Sequence, residues 1–322
     1  MPAPPSDPTV PEAPERPALP WLFRWLLPWF RRELPMWARL YALAGGNRDE
    51  RWRGRGIATV RGKLHGYTMA LDLANWSERL TFCLARYHDL PIQHVLRQAL
   101  RPGDCFVDVG ANLGMLSLLA HRLVGDGGRV LACEPNPRLR SRIESAVRAN
   151  GLLRLELVAK ALGEHPGTAE LREFAGHTGW GSLSATGPDG AAATAVWQVP
   201  VVPGDEVLAG VAAEQPLVVK IDVEGFEVPV LRGLKRTLDR WPLVMVEVAD
   251  AHQRRAGFSA AQLRALLEQR GYRGFAMLAV RRLGFGRRVE LLPLDRCHVA
   301  EVDAVFVPPQ GPLAARLSLP AD

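Results

Sequence analysis

Residues 108–114, Asp-Val-Gly-Ala-Asn-Leu-Gly, decide the fold of this chain. They begin within the apolar run Cys105–Val109, which predicts a buried strand, and lead into residues 113–124, which are apolar at helical spacing. Glycines between a strand and a helix let the backbone turn tightly and approach a ligand closely. The amide N–H groups at the start of the helix then point at that ligand. The stretch therefore predicts a strand–turn–helix unit that binds a ligand.

The alternation of strand and helix continues along the chain. Asn136 followed by Pro137 predicts the start of a helix, and Gly151 predicts its end. Another helix is predicted over Phe226–Leu238. Further strands are predicted at Val130–Cys133, Leu155–Ala161, Leu217–Val223, Leu243–Val248, Tyr272–Ala279 and Val299–Val307. Such alternation is typical of a doubly wound α/β fold with a mostly parallel sheet.

Composition divides the chain around this domain. The predicted segments are a disordered Pro-rich tail at 1–20, a Trp/Arg-rich helical lead-in at 21–50, the α/β domain at 51–310 and a loose tail at 311–322. Within the domain we expect a hairpin and helix at 51–101, a cofactor-binding half at 102–162, a variable excursion at 163–215 and a second half at 216–310.

Two carboxylates accompany the glycine turn. Asp108 precedes Gly110 by two positions, so the pattern differs from the dinucleotide fingerprint GxGxxG. A carboxylate there can attract the ammonium group of a cationic cofactor that has an amino-acid end, or it can cap a tight turn. Glu134 ends the second predicted strand, where an acidic residue accepts the ribose hydroxyls of a nucleoside or caps the next helix. Together the two residues favour a nucleoside cofactor.

These motifs are similar to those of a known family. The stretch 103–114, the run Glu134-Pro-Asn-Pro137, the run Lys220-Ile-Asp-Val-Glu-Gly-Phe-Glu227 and Glu247 resemble the FkbM family of methyltransferases. The resemblance covers roughly residues 75–250. It implies a Rossmann-like class I methyltransferase fold with a seven-stranded sheet and one antiparallel strand. It also implies S-adenosylmethionine as the methyl donor and, most often, a hydroxyl acceptor on a sugar, polyketide or other natural product.

The resemblance also implies which positions contact the cofactor. The methionine end is expected to lie against Asp108, Gly110, Asn112 and Gly114. Glu134 is expected to hold the ribose, and Ala161 or its neighbour Lys160 to lie near the adenine. Lys160 stands where the family's pattern leads us to expect Asn or a small residue.

The acidic run after the predicted strand Leu217–Val223 supplies candidate catalytic groups. Lys220, Asp222 and Glu224 alternate, which predicts that they share one face of the strand. Methyl transfer to a hydroxyl needs alignment and sometimes a base. Asp222 is the first candidate base, and Glu224 and His252 are the others. The alternatives are an ion-paired network that closes the sheet and a surface or capping histidine.

A metal is the less favoured interpretation of the same region. Four carboxylates are predicted on neighbouring strand ends, and carboxylate oxygens ligate hard cations. They are Asp222, Glu224, Glu247 and Asp250. Their spacing does not require an ion, so the sequence predicts no metal.

Charge and cysteine content bear on partners and compartment. The net charge is +6, but only four of the forty basic residues are lysine, and no dense basic cluster or recognition module accompanies them, so a nucleic-acid partner is not expected. The four cysteines form no CxxC pair, and Cys105 and Cys133 lie in apolar runs typical of buried thiols. No apolar run of about 20 residues and no signal peptide is found. We therefore expect a cytoplasmic protein.

The Trp/Arg-rich segment has two interpretations. Trp21, Trp25 and Trp29 recur every four residues among arginines, although Pro28 and Pro35 interrupt the segment. Residues 21–45 could form an interfacial helix that contacts a membrane surface or a partner. The favoured interpretation is a lead-in helix packed on the domain.

Three functions are compatible with these patterns. The first is an O-methyltransferase that acts on a small molecule or glycan. The second is another nucleotide-dependent enzyme on a similar sheet, against which the lack of GxGxxG counts. The third is a non-catalytic protein that docks through its Trp/Arg segment, against which Asp108, Glu134 and Asp222 count. The acceptor and the oligomeric state stay open, with specificity expected in the hairpin and in residues 163–215.

Overall fold

The computed structural model describes residues 19–174, 181–182, 193–281 and 287–320. Internal contacts divide the chain into two compact units, one of Met1–Gly62 with Thr68–His88 and one of Lys63–Tyr67 with Asp89–Asp322. The predicted disordered tail up to residue 18 and most of the Gly/Ser/Thr-rich stretch at 176–190 lie outside the described residues.

The first unit combines three helices with a hairpin. Its elements are α1 (Trp21–Arg31), α2 (Trp37–Leu43), β1 (Ile57–Arg61), β2 (Thr68–Asp72) and α3 (Trp76–Leu84). β1 and β2 pair antiparallel, which confirms the predicted hairpin. Phe23 of α1 is fully buried, with its ring centroid 4.7 Å from that of Trp52 and 5.6 Å from that of Tyr41. An aromatic core therefore holds α1 in this unit.

No helix in the described part of the chain has the length and apolar character needed to cross a bilayer.

The second unit contains the sheet that positions the site. Its helices are α4 (Leu90–Ala99), α5 (Met115–Val124), α6 (Pro137–Asn150), α7 (Gly204–Val207), α8 (Glu227–Arg232), α9 (Lys235–Leu238), α10 (Asp250–Arg255) and α11 (Ala260–Glu268). Its strands are β3 (Cys105–Val109), β4 (Arg129–Cys133), β5 (Leu155–Val158), β6 (Ala161–Gly163), β7 (Gly167–Phe174), β8 (Gly181–Ser182), β9 (Ala193–Pro203), β10 (Leu217–Ile221), β11 (Leu243–Ala249), β12 (Arg273–Arg281), β13 (Arg287–Pro293) and β14 (Glu301–Val307).

The main sheet has the order β13-β12-β14-β11-β10-β3-β4-β5. The five strands from β11 to β5 are parallel to one another, and β14 runs antiparallel to β11. β3 and β10 are buried along their whole length, as expected for strands covered by helices on both faces. These features confirm the predicted doubly wound, mostly parallel α/β fold. The strand order reverses between β3 and β10, where ligands bind in such sheets.

The described sheet differs from the expected one in its strand number. It has eight strands rather than seven, because β13 pairs antiparallel with β12 at the edge. The predicted strand Leu155–Ala161 is also wrong at its end. Its first part is β5, whereas Ala161 begins β6, which pairs with β9 in a second sheet of order β6-β9-β7-β8.

Two further expectations are corrected by packing. The helix predicted over Phe226–Leu238 is divided into α8 and α9 at Gly233, where a Cβ atom would overlap the main-chain oxygen of Gly163. The C-terminal segment is packed rather than loose over residues 311–320. Leu313 and Leu317 are buried, and the Arg316 guanidinium pairs with the Asp104 carboxylate.

Candidate active site

The glycine turn after β3 is tight, as the sequence predicted, and its backbone has three positive φ angles. Gly110, Asn112 and Gly114 have φ values of +76°, +54° and +72°. A Cβ atom on Gly110 would overlap the main-chain oxygen of Asp222, so only glycine fits there without movement. The amide of Gly110 donates to the carbonyl of Cys133 over 3.0 Å. The turn is therefore wedged between the ends of β4 and β10.

Asp108 is buried beneath the turn rather than exposed on it. Its carboxylate is 1% exposed and accepts a hydrogen bond from the Ser117 hydroxyl over 2.6 Å. The Lys220 ammonium lies 3.3 Å from Asp108 Oδ1 and 3.3 Å from Asp222 Oδ2, and it donates to the Gly110 carbonyl over 3.0 Å. Lys220 therefore connects Asp108 of β3 and Asp222, which follows β10, to the glycine turn.

Glu134 follows β4 and connects three elements. Its Oε2 accepts from the amide of Asn112 over 2.8 Å, and its Oε1 accepts from the amide of Asn136 over 2.9 Å. Its own amide donates to the carbonyl of Val158, the last residue of β5, over 3.0 Å. Burial raises the pKa of Glu134 to about 7, although the two amide donors act in the opposite direction.

The remaining predicted cofactor residues lie beside this tip. Lys160 is exposed between β5 and β6, and Ala161 is buried as the first residue of β6. The side-chain oxygen Oδ1 of Asn112 is buried and accepts no hydrogen bond from the described residues. Each carboxylate oxygen of Glu134 accepts one amide hydrogen bond and can accept another. These oxygens and Asn112 Oδ1 suit a ligand that carries ammonium and hydroxyl donors.

The acidic run does not continue β10, so its predicted alternation is wrong. β10 ends at Ile221, and the amide of Asp222 still donates to Val109 over 3.1 Å. The chain then turns, because Glu224 and Gly225 have φ values of +55° and +108°. Glu224 is therefore separated from the face that Lys220 and Asp222 share.

The turn brings Glu224 to His252. A Cβ atom on Gly225 would overlap the main-chain oxygen of His252, so the turn lies directly against α10. His252 Nδ1 lies 3.2 Å from Glu224 Oε2 and 3.0 Å from Glu247 Oε2. The hydrogen bond to Glu247, with the charges of both carboxylates, raises the pKa of His252 to about 9. Burial and the neighbouring acids raise the pKa of Glu224 to about 8 and that of Glu247 to about 7.

This proton-sharing cluster, defined as Glu224, Glu247 and His252, has buried supports that sequence analysis missed. Glu227 is fully buried and accepts from the amides of Gly225 over 3.0 Å and Val223 over 3.2 Å. Gln253 donates to Glu227 over 2.8 Å. The Glu227–Gln253 pair thus holds the Glu224 turn against α10.

A fourth carboxyl group faces the same region. Asp303 on β14 lies opposite Glu247 on β11 in the antiparallel register. Burial, and then the carboxyls of Asp89, Asp222 and Glu247, raise the pKa of Asp303 well above its ordinary value. The raised pKa favours the neutral form of Asp303, which reduces the repulsion between it and these acids. Glu227 and Glu247 stood in the quoted motifs, but nothing in the sequence signalled Gln253 or Asp303.

A cation is geometrically possible at the proton-sharing cluster. One donor atom from each of its three residues lies within 4.8 Å of the others. Of the four carboxylates considered from sequence, Asp222 pairs with Lys220, and Asp250 accepts from the amide of Ala260 over 3.1 Å. His252 Nδ1 needs a proton to bind both carboxylates, and an ion would have to replace that proton. A shared proton and a cation would therefore occupy the same position in this cluster.

The strand order and the acidic groups at the carboxyl edge define a class, the doubly wound α/β proteins with a ligand site at the switch point. The family model described as the methyltransferase FkbM domain matches residues 108–273, which is more than half of the chain. The chain therefore belongs to the FkbM family of methyltransferases. This match confirms the predicted family and enzyme class.

Two curated relatives are similar to the chain. 31-O-demethyl-FK506 methyltransferase FkbM of Streptomyces tacrolimicus is 32% identical over 182 residues, covering 48% of this chain and 67% of the relative. Hexuronic acid methyltransferase AglP of Haloferax volcanii is 28% identical over 167 residues, covering 48% of this chain and 62% of the relative. The chain thus spans less than two thirds of AglP. A solved methyltransferase FkbM from Methylobacillus flagellatus KT is 16% identical, with a TM-score of 0.39, over 73% of this chain and 54% of that one.

Proposed function

We propose that this chain transfers the methyl group of S-adenosylmethionine to a hydroxyl oxygen of a small molecule, sugar or other natural product. The observation that carries the proposal is the contact between two parts of the carboxyl edge. Gly110 of the glycine turn lies against Asp222, and the turn that follows Asp222 lies against His252. A cofactor on the first part and an acceptor on the second would therefore be neighbours, which is what group transfer requires.

The donor site comprises the glycine turn and the tip of β4. Asn112 and the turn amides would hold the amino-acid end, and Glu134 would accept the ribose hydroxyls with the lone pairs that its two amide donors leave free. Lys160 and Ala161 would border the adenine. Asp108 acts from below, through Ser117 and Lys220, by fixing the shape of the turn. When bound, S-adenosylmethionine supplies an electrophilic methyl group.

The proton-sharing cluster would accept the proton of the acceptor hydroxyl. Its groups have pKa values of about 7 to 9, the range in which a general base works best near neutral pH. Asp222 is already ion-paired with Lys220, so it is better suited to orienting the acceptor than to taking its proton. This assigns the base to Glu224 with Glu247 and His252 rather than to the first sequence candidate.

The nature of the acceptor is inferred from the relatives. One is named for 31-O-demethyl-FK506 and the other for a hexuronic acid, so one name refers to a methyl group on an oxygen and the other to a sugar acid. A nucleic-acid acceptor is not proposed.

Calorimetry with S-adenosylmethionine and S-adenosylhomocysteine tests the donor site. Glu134→Ala should weaken binding by about tenfold or more, the scale of lost hydrogen bonds to a charged group. Glu144→Ala, which removes a half-exposed glutamate of α6, is the matched control and should bind normally. A folded protein that binds neither ligand, or that binds a nicotinamide nucleotide instead, would refute the proposal. Methyl transfer to a panel of glycosides, uronic acids and polyketide alcohols then tests the acceptor class.

A further inference from the structure

Helix α1 has two apolar faces, and only one of them is packed. Phe23 and Phe30 are fully buried against the aromatic core of the first unit. On the other side, Trp21 is 74% exposed, Trp25 is 80% exposed and Trp29 is 39% exposed. Their spacing of four residues aligns the three rings along one stripe of the helix. Lead-in packing therefore accounts for the phenylalanines but not for the tryptophans.

The surroundings of this tryptophan stripe are cationic. Arg24, Arg32 and Arg39 are exposed. Glu33 is the one acidic residue in the sequence between residues 21 and 48, and its carboxylate is paired with Arg86 over 2.7 Å. The exposed surface of residues 21–48 thus combines large indole rings with arginines, and its one acidic residue is already paired.

Indole rings beside arginines match one kind of surface best. Tryptophan concentrates at the boundary between lipid headgroups and acyl chains, where its ring lies in the apolar layer and its N–H meets water. Arginines at the same level attract the phosphates of anionic lipids. A contiguous exposed apolar patch on a protein surface otherwise marks an interaction site.

We propose that the tryptophan stripe of α1 docks this protein on the surface of an anionic lipid bilayer. The helix lies in the interface plane, held to its own unit by Phe23 and Phe30 and to the membrane by Trp21 and Trp25. Arg24 and Arg32 contact the headgroups. The docking is peripheral, and it is independent of the methyl-transfer proposal.

Co-sedimentation of the full chain with vesicles tests the docking. Phosphatidylcholine vesicles that contain phosphatidylglycerol should bind the protein at least about tenfold more strongly than pure phosphatidylcholine vesicles, and added salt should reduce the difference. The double variant Trp21→Ser with Trp25→Ser should lose about tenfold or more of the binding to both vesicles. Arg24→Gln with Arg32→Gln should lose only the part that depends on phosphatidylglycerol.

Leu153→Ser provides the matched control, because Leu153 is 91% exposed and lies in the second unit, outside α1. It should bind vesicles as the wild type does. All variants replace exposed side chains, so their melting temperatures should be unchanged, which separates loss of docking from loss of folding. The proposal is overturned if the wild-type protein does not co-sediment with the anionic vesicles. A tryptophan variant that binds them normally also overturns it, as does light scattering showing that the stripe instead joins two copies of the chain.

Discussion

The α-carbon of Gly110 lies so close to the main-chain oxygen of Asp222 that no side chain fits between them. The residues directly follow the neighbouring strands β3 and β10, one in the proposed donor site and the other beside the proposed base. Any change that separates these strand ends therefore disturbs both halves of the site at once.

Gly110→Ala is expected to impair cofactor binding more than folding. The added methyl must displace Asp222 or the turn, and the positive φ adds strain. We expect a loss of about 1–3 kcal/mol in unfolding free energy and at least about tenfold in affinity for S-adenosylmethionine. Gly151→Ala is the control, since Gly151 has φ +63° and ψ +39° but open space around it. It should lose about 1–2 kcal/mol of stability from strain alone and bind normally. Equal affinity of both variants for S-adenosylmethionine would contradict a role for the close contact between Gly110 and Asp222 in cofactor binding.

Lys220→Met is expected to destabilise the sheet. It leaves the Asp108 carboxylate, 1% exposed, without its counterion. Breaking a buried pair from one side costs about 3–5 kcal/mol, whereas removing both charges costs less. Adding Asp108→Asn to Lys220→Met should therefore restore part of the loss in urea unfolding. A single variant as stable as the wild type would show that the pair is not needed.

Methyl transfer should depend on pH through the proton-sharing cluster. The cluster must lose a proton before it can accept one, so kcat/KM should rise with pH through the range of about 7 to 9. His252→Asn removes the cation that favours ionised Glu224 and Glu247, so their pKa values should rise and the profile should move to higher pH. His165→Asn, at an exposed histidine, should leave the profile unchanged. A profile that is flat, or that moves down in the His252 variant, would exclude the cluster as base.

Removal of divalent cations should leave methyl transfer unchanged. His252 Nδ1 lies 3.2 Å from Glu224 Oε2 and 3.0 Å from Glu247 Oε2, so a proton on this nitrogen can hold the three residues together without an ion. Activity measured with and without EDTA checks this. Loss of activity that added Mg²⁺ or Mn²⁺ restores would instead assign the cluster to a metal.

Features set by local chemistry could be predicted from the sequence. β3 begins and ends at the predicted residues, and α6 starts after Asn136, whose side chain accepts from the amide of Arg138. Gly151 ends the same helix in the left-handed conformation. Each of these outcomes depends on neighbours within a few positions, so composition and spacing sufficed.

Features set by distant contacts could not be predicted. Glu224 leaves the line of β10 because Gly225 packs against the backbone of His252, 27 positions further along the chain. Asp303 joins the site only through the register of β14 on β11. The single strand predicted over Leu155–Ala161 is two strands in the structure. The sequences of β5 and β6 are both typical of strands, and only the pairing of β6 with β9 places Ala161 in the second sheet.

The pairing of Arg316 with Asp104 joins residues 212 positions apart, at the threshold of β3. A contact of such long range forms only after the intervening chain has folded, because the entropy cost of closing the loop is met before the contact can stabilise the structure. During synthesis from the N-terminus, β3 is made early, but Asp104, the residue before it, has no Arg316 to pair with until residue 316 has left the ribosome. A nascent chain stalled before residue 316 therefore lacks this contact, and proteases should cut it under conditions in which they spare a chain that contains residue 316.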